Sequence, residues 1–403
     1  MRHFRAPSGN RENRLQRILT VIVLCNTTAG GIMAVALPLR LSALGASKTT
    51  IAAFFLANAA LAVLYSTLLL PRLQRHGYPR WGLLGASVAF PAGLLLVSVW
   101  GGTPVLYPAG VLMMFVSTIV PMAIGIASGQ EAEGVDDPTV IARMRRAIVV
   151  GFIAGLALHS GVTALGGQAI VVAVGLAAGA AAVPLALPRG ALARHVAVAP
   201  RAGTGTSPVR ARVVVAACLV SIALMRGADQ LRAVYLPLYA DAQSVAQSQI
   251  AWLFLVTALL EIPLLSWLVL ATRRRGPVPV LMACCAAGAG AFLLVTTAGG
   301  MVTLTLAQVV YAAFAAGFQS IGLVVLGKQL RGGNGAGANA FTAVMQTGTA
   351  VGVLLPLAVP GYSRPIFFIG AGLCAVAGVL LVSARSSLAP AEPARTRPTT
   401  TSV

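Results

Sequence analysis

The sequence predicts an all-α integral membrane protein of twelve transmembrane helices in two six-helix halves. Of its 403 residues, 58% are hydrophobic and 9% are charged, whereas charged residues make up about 25% of an ordinary soluble domain. Apolar runs recur along almost the whole chain, and the longest polar link between them falls after the sixth run. These three observations together predict a bundle of spanning helices that is divided in the middle.

Twelve apolar runs have the length of about 20 residues that a spanning helix needs. The link 189–212 is rich in Pro, Gly, Thr and Ala and separates six runs from six. We therefore divide the chain into an N-terminal segment (1–17), a first half (18–188), a central loop (189–212), a second half (213–384) and a disordered tail (385–403). The runs cover residues 18–39, 50–70, 81–100, 104–128, 143–163, 168–188, 213–236, 249–271, 278–298, 301–326, 338–359 and 365–384.

The basic residues predict the orientation of the bundle. With the N-terminus inside the cell, cytoplasmic segments hold 24 of the 29 basic residues, and external segments hold Arg40, Lys48 and Arg364. Because basic residues concentrate in cytoplasmic loops, we expect a multi-pass protein of the cytoplasmic membrane with both termini cytoplasmic. The net charge of +20 is scattered between apolar runs, which excludes nucleic acid as a partner and leaves the lipid bilayer.

Four charged residues lie inside predicted spans: Arg226, Asp229, Arg232 and Glu261. A charge at bilayer depth costs about 2.5–3.5 kcal/mol on insertion scales, so it is rarely accidental. The spacing of three residues puts Asp229 within helical reach of both arginines, which predicts structural ion pairs. The cluster either lines the interior of a transport protein or only locks the helices in register. We favour the first interpretation because intramembrane charges usually mark transport pathways.

Asp229 and Glu261 are the two candidates for proton coupling. Asp229 should stay ionised between its two arginines, which makes it a poor proton carrier. Glu261 has no charged neighbour one turn away on its own helix, and a short loop between antiparallel helices would bring it to the depth of Arg226. Burial and an approaching arginine would shift the pKa of Glu261 in opposite directions. Glu261 is therefore the better candidate for a proton site that switches with conformation.

Polar side chains recur inside several predicted spans and predict a polar cavity. Each could instead make a helix–helix hydrogen bond, worth about 0.6 kcal/mol on average. Many amides and hydroxyls with few charges suit a neutral polyhydroxylated or amphipathic substrate. Glycines spaced four apart in the fifth, sixth and eleventh spans predict close helix packing. The candidate substrate-binding residues are Asn26, Asn58, Tyr65, His159, Arg226, Gln319 and Gln346.

Several segments resemble a known family. They are Tyr235–Tyr239 (YLPLY), Leu260–Pro263 (LEIP), Gln308, Gly335–Thr342 (GAGANAFT), Asn58 and Arg143–Ala147 (RMRRA). Together they resemble the sugar efflux transporter family of the major facilitator superfamily, whose layout is also six helices plus six. The resemblance implies that fold, alternating access to a central site, and export of a sugar.

The sequence thus predicts a secondary active transporter, a monomer that exports a small molecule at the expense of a proton gradient. It has no G-x-x-x-x-G-K-[ST] nucleotide-binding motif, which favours ion coupling over ATP hydrolysis. An exporter of drugs or secondary metabolites is the main alternative. A polytopic membrane enzyme is less favoured, because no catalytic Ser/His or His/Asp set lies near an interface. We expect no enzymatic activity, no cofactor and no bound metal.

Overall fold

In a computed structural model, the chain is described at residues 9–69, 72, 79–100, 102–116, 119–120, 122–123, 138–183, 209–297, 299–329 and 334–388. This part of the chain is all-helical, with twelve α-helices. They are α1 (Gly9–Ala43), α2 (Lys48–Leu64), α3 (Pro79–Val99), α4 (Leu106–Met113), α5 (Pro138–Ala164), α6 (Ala169–Ala182), α7 (Val209–Ala242), α8 (Gln247–Arg275), α9 (Pro277–Thr296), α10 (Met301–Gln329), α11 (Asn334–Leu354) and α12 (Pro365–Leu388). A π-helical turn, Tyr65–Leu69, continues α2.

The helices follow the twelve predicted runs, but several extend past the predicted boundaries. Helix α1 begins inside the predicted N-terminal segment, α7 begins at Val209 inside the predicted central loop, and α12 continues to Leu388. A helix can continue into water where its residues favour helical structure, whereas hydropathy identifies only the segment of the helix that lies in the lipid. Residues 1–8, the central link 184–208, residues 124–137 and the tail from 389 lie outside the described residues.

Within the described residues, seven helices are both long and apolar enough to cross a membrane, and three shorter apolar helices accompany them. Helix α7 is long but is not among these ten. It carries Arg226, Asp229 and Arg232 within one stretch of seven residues, which lowers its apolar character where the others are most hydrophobic. Helix α7 therefore departs from a simple apolar spanning segment at its charged residues.

The helices pack into two groups that meet along three pairs. In the first group α1 packs against α5 and α6, and α3 packs against α4 and α6. In the second, α9 packs against α10 and α12, and α7 packs against α11 and α12. The groups meet where α1 packs against α7, α2 against α11, and α5 against α8. Helix α8 also packs against α10, so it links the second group to the first.

Glycine pairs bring two sets of helices into close contact, as predicted. A side-chain carbon added at Gly155 would overlap backbone atoms of α1, and one at Gly348 or Gly352 would overlap backbone atoms of α7. The prediction is wrong for Gly175 and Gly179 of α6, where such an atom would meet open space. The close approach of α11 to α7 matters for the site, because it brings α11 side chains beside the α7 charges.

Candidate functional site

Arg226 and Asp229 form an ion pair on one face of α7. They are three residues apart, and Nη1 of Arg226 donates to Oδ2 of Asp229. The same guanidinium donates through Nη2 to Oε1 of Gln230 at 2.8 Å and through Nε to Oγ1 of Thr349 on α11 at 3.3 Å. Arg226 is half-buried and Asp229 is buried. The pair is therefore held both within α7 and across to α11.

The second oxygen of Asp229 is bound by α10. The hydroxyl of Tyr311 donates to Oδ1 of Asp229 at 2.8 Å, and the tyrosine side chain is fully buried. A buried carboxylate is costly unless it is paired and hydrogen-bonded. Arg226 and Tyr311 supply these partners from two different helices. Asp229 thereby joins α7 to α10 at the level of the charged residues.

Arg232 does not bind Asp229, which differs from the predicted ion pairs. Its Nε donates to Oε1 of Gln308 at 2.7 Å, and its Nη2 donates to Oγ1 of Thr257 at 3.0 Å. The guanidinium carbon lies 4.3 Å from the ring centroid of Phe254 and 4.2 Å from that of Tyr311. Two aromatic faces and neutral oxygens therefore stabilise this buried cation. Arg226 and Arg232 are six residues apart, so their side chains leave α7 in different directions. The side chain of Arg232 points toward α8 and α10.

Glu261 lies one turn beyond Thr257 on α8 and is half-buried. Thr257, four residues earlier on the same face of α8, accepts a hydrogen bond from Nη2 of Arg232. The sequence analysis expected Arg226 at the depth of Glu261, whereas the arginine bound one turn away on α8 is Arg232. Pro263 follows two residues later inside α8 and leaves the carbonyl of residue 259 without its helical hydrogen bond. The helix is therefore weakened beside this carboxyl group.

A small cavity borders this cluster inside the second group of helices. Its volume is about 10 Å³, close to the least that admits one water molecule. Arg232, Gln308 and Tyr311 face it together with Leu236, Phe292 and Phe367. The space is too small for a sugar or a drug. The charged cluster is thus a closed hydrogen-bonded network in this state, not a substrate pocket.

The candidate substrate-binding residues of the first half are separated from one another. Asn26 is buried and donates through Nδ2 to the carbonyl of Ile22 at 2.8 Å, while its Oδ1 has no hydrogen-bond partner. Asn58 is half-buried and donates to the carbonyl of Gly110 on α4 at 2.9 Å. Tyr65 is buried at the start of the π-helical turn, with its ring edge-on to that of Phe115. Asn26 thus bonds within its own helix, whereas Asn58 joins two helices of the first half, α2 and α4.

The remaining candidates differ in exposure. His159 on α5 is buried, and neither of its ring nitrogens has a hydrogen-bond partner. Gln319 on α10 is exposed, and Gln346 on α11 is half-buried. Only Arg226 among the substrate candidates belongs to the charged network. Within the described ranges, no three His, Cys, Asp or Glu side chains are placed to hold a metal ion.

The sequence analysis did not predict the contacts that hold Arg232 or those that Lys48 makes. Thr257 and Phe254 hold Arg232, and the only sequence signal was their position one and two turns before Glu261 on α8. Lys48 was counted as an external basic residue, although a lysine as the first residue of an apolar helix was itself a signal. Their roles depend on which helices are neighbours, and no local pattern records this.

The hydrogen bonds of two residues, Lys48 and Ser160, join the two groups at one end of the bundle, which we call the far end. It carries the loops 44–47, 165–168, 243–246 and 355–364, opposite the N-terminus of α1. There Nζ of Lys48 donates to the carbonyls of Val359 and Gly361 at 2.6 and 2.7 Å. Oγ of Ser160 on α5 donates to the carbonyl of Ser248 on α8 at 3.0 Å. The two groups of helices are therefore joined at the far end.

The fold is that of known transporters. The chain is similar to the nucleoside transporter NupG (16% identity, TM-score 0.73, covering 92% of this chain and 99% of that one). It is also similar to a peptide transporter POT in complex with sulfate (13% identity, TM-score 0.73, covering 93% of this chain and 94% of that one). A third similar structure is a bacterial homologue of the iron transporter ferroportin in an inward-facing state (13% identity, TM-score 0.69, covering 93% of this chain and 99% of that one). No protein-family model and no curated protein matches the chain. At these identities the likeness shows the fold, which is the major facilitator fold.

Proposed function

We propose that this protein is a secondary active transporter that exports a sugar or another small polar or amphipathic molecule in exchange for protons. The two groups of helices would rock about their shared contacts and open alternately to each side of the membrane. The single observation that carries the proposal is the position of Glu261. This carboxyl group lies one turn beyond Thr257, which accepts a hydrogen bond from Arg232, and it lies on α8, the helix that packs against both α10 and α5.

That position offers a physical link between a proton and a movement. Binding a proton would remove the negative charge that Glu261 presents to the neighbouring cation, Arg232. The hydrogen bonds of Arg232 to Thr257 and Gln308 hold α7, α8 and α10 together, so a change of charge beside them alters the contact between these helices. Because α8 also packs against the first group, the change would bias the relative position of the two groups.

The basic residues favour placing the far end outside the cell, since most of them belong to segments at the opposite end. On that placement, the hydrogen bonds at the far end would close the bundle toward the outside. Sugar efflux as the activity rests on the family resemblance of the LEIP and YLPLY segments. Export of a drug or secondary metabolite remains the second candidate, because the described polar side chains do not form one pocket whose shape would select a substrate.

The test is transport in everted membrane vesicles, with labelled sugars and hydrophobic drugs offered separately, with and without a protonophore. Proton-dependent accumulation of one class identifies the substrate and the coupling together. Uptake of either class that persists unchanged with the protonophore would contradict proton exchange. The vector without the gene is the matched control.

The polar residues Asn58 and Gln346 are expected to line the substrate path. Replacing either by Leu should reduce transport at least about tenfold while membrane abundance stays near normal, because a lost interhelical hydrogen bond costs only about 0.6 kcal/mol. Transport in vesicles and the amount of folded protein are measured together. Gln243→Leu, at the exposed loop after α7, is the matched control. Normal transport by both variants would assign these residues to helix packing alone.

A further inference from the structure

The ammonium group of Lys48 lies in a site that belongs to the other group of helices. Besides the two carbonyl oxygens of Val359 and Gly361, the rings of Tyr235 and Tyr362 lie beneath it, with centroids 5.5 and 5.8 Å from Nζ. Two carbonyl acceptors satisfy two of the three N–H bonds, and aromatic faces within about 6 Å attract a cation. The four groups form a cage, which we call the ammonium cage.

The cage is built without any part of the first half. Tyr235 is fully buried on α7, and its hydroxyl donates to the carbonyl of Val353 at 2.7 Å, which fixes the ring. The carbonyls belong to the turn after α11, where the backbone N–H of Val359 bonds to the carbonyl of Pro356. The rings of Tyr235 and Tyr362 are 6.5 Å apart. A movement that withdraws Lys48 would leave these groups in place.

The local structure of α2 does not favour a lysine at position 48. It is the first residue of α2, directly after the N-cap Ser47, whose side chain accepts from the N–H of Thr50. The positive end of the helix dipole lies there and disfavours a cation. It is also one of two lysines in a chain whose other basic residues are arginines. A compact ammonium with three donors fits two converging carbonyls better than a planar guanidinium does.

We propose that the ammonium cage is a binding site for a primary ammonium group, occupied by Lys48 when the far end is closed and able to accept a small primary alkylammonium ion when Lys48 is absent or withdrawn. Lys48 then acts as a tethered ligand that keeps the far end closed. This goes beyond the proposed transport function, because the cage lies at the mouth of the bundle and its occupancy is tested without a known substrate.

The test is competition for the cage, measured as a distance. Spin labels at Leu165→Cys and Gln243→Cys, both in exposed far-end loops of opposite halves, report whether the full-length protein in detergent is closed there. The protein without the two introduced cysteines, which keeps its five native cysteines, is the labelling control. Lys48→Ala should shift the population from the short toward the long distance. In the wild-type protein, ethylammonium at tens of millimolar should compete with Lys48 for the cage and raise the long-distance population at least about twofold over sodium chloride of equal ionic strength, whereas Lys48→Ala should not respond to it.

Two controls separate the cage from a general effect of amines. Tetramethylammonium has no N–H donor, so it should open the far end much less than ethylammonium does. Tyr362→Leu, which removes one aromatic face, should by itself raise the long-distance population, though less than Lys48→Ala does. The proposal is overturned if Lys48→Ala keeps the wild-type distances, if ethylammonium does no more than sodium chloride in the wild-type protein, or if tetramethylammonium opens the far end equally well.

Discussion

Replacing Glu261 by Gln is expected to abolish proton-driven accumulation while substrate binding and exchange remain. The amide keeps nearly the same size and hydrogen-bonding groups but cannot ionise, so the side chain behaves as a permanently protonated carboxyl. Exchange of substrate for substrate needs the two states to interconvert with substrate bound, and it needs no net proton movement. The expected result is thus a separation of two activities that a folding defect would reduce together.

The measurement compares two assays on the same vesicles. Net transport driven by an imposed pH gradient should fall to background in Glu261→Gln, whereas counterflow of labelled against unlabelled substrate should persist. Glu261→Asp, which keeps an ionisable group, should retain part of the driven transport. If Glu261→Gln still concentrates substrate against its gradient under proton drive, Glu261 is structural and the coupling assignment is wrong.

Replacing Asp229 by Asn should instead lower the amount of folded protein. Asp229 provides the negative charge that Arg226 binds and also accepts from Tyr311. Removing one partner of a buried pair costs about 3–5 kcal/mol, because the other charge stays without its counter-ion. We expect about 3 kcal/mol, the lower value, since Arg226 is only half-buried and keeps its bonds to Gln230 and Thr349.

Thermal unfolding of detergent-purified protein and its abundance in the membrane check this expectation. Asp241→Asn is the matched control, because Asp241 is an exposed carboxyl at the end of the same helix. A double variant, Asp229→Asn with Arg226→Gln, removes both charges and should recover much of the loss. Equal stability of Asp229→Asn and Asp241→Asn would show that the pair contributes little to folding.

The local patterns predicted the secondary structure well. Apolar runs of bilayer length became helices, because in lipid a segment must satisfy its backbone hydrogen bonds within itself. The contact between Arg226 and Asp229 was also predictable, since residues three apart lie on one face of a helix wherever that helix packs. The ends of the helices were less predictable, as α1 and α7 show, because hydropathy changes at the membrane surface and not at the helix terminus.

What the sequence alone determined about this protein is therefore what depends on residues near one another in the chain: the helices and the ion pair within α7. Only the tertiary structure decided the partners across helices. It directed Arg232 to Thr257 and Gln308 and placed Lys48 in the cage beyond α11. The physical reason is that a helix period of 3.6 residues specifies a face, whereas the rotation and neighbours of that face follow from packing the whole bundle.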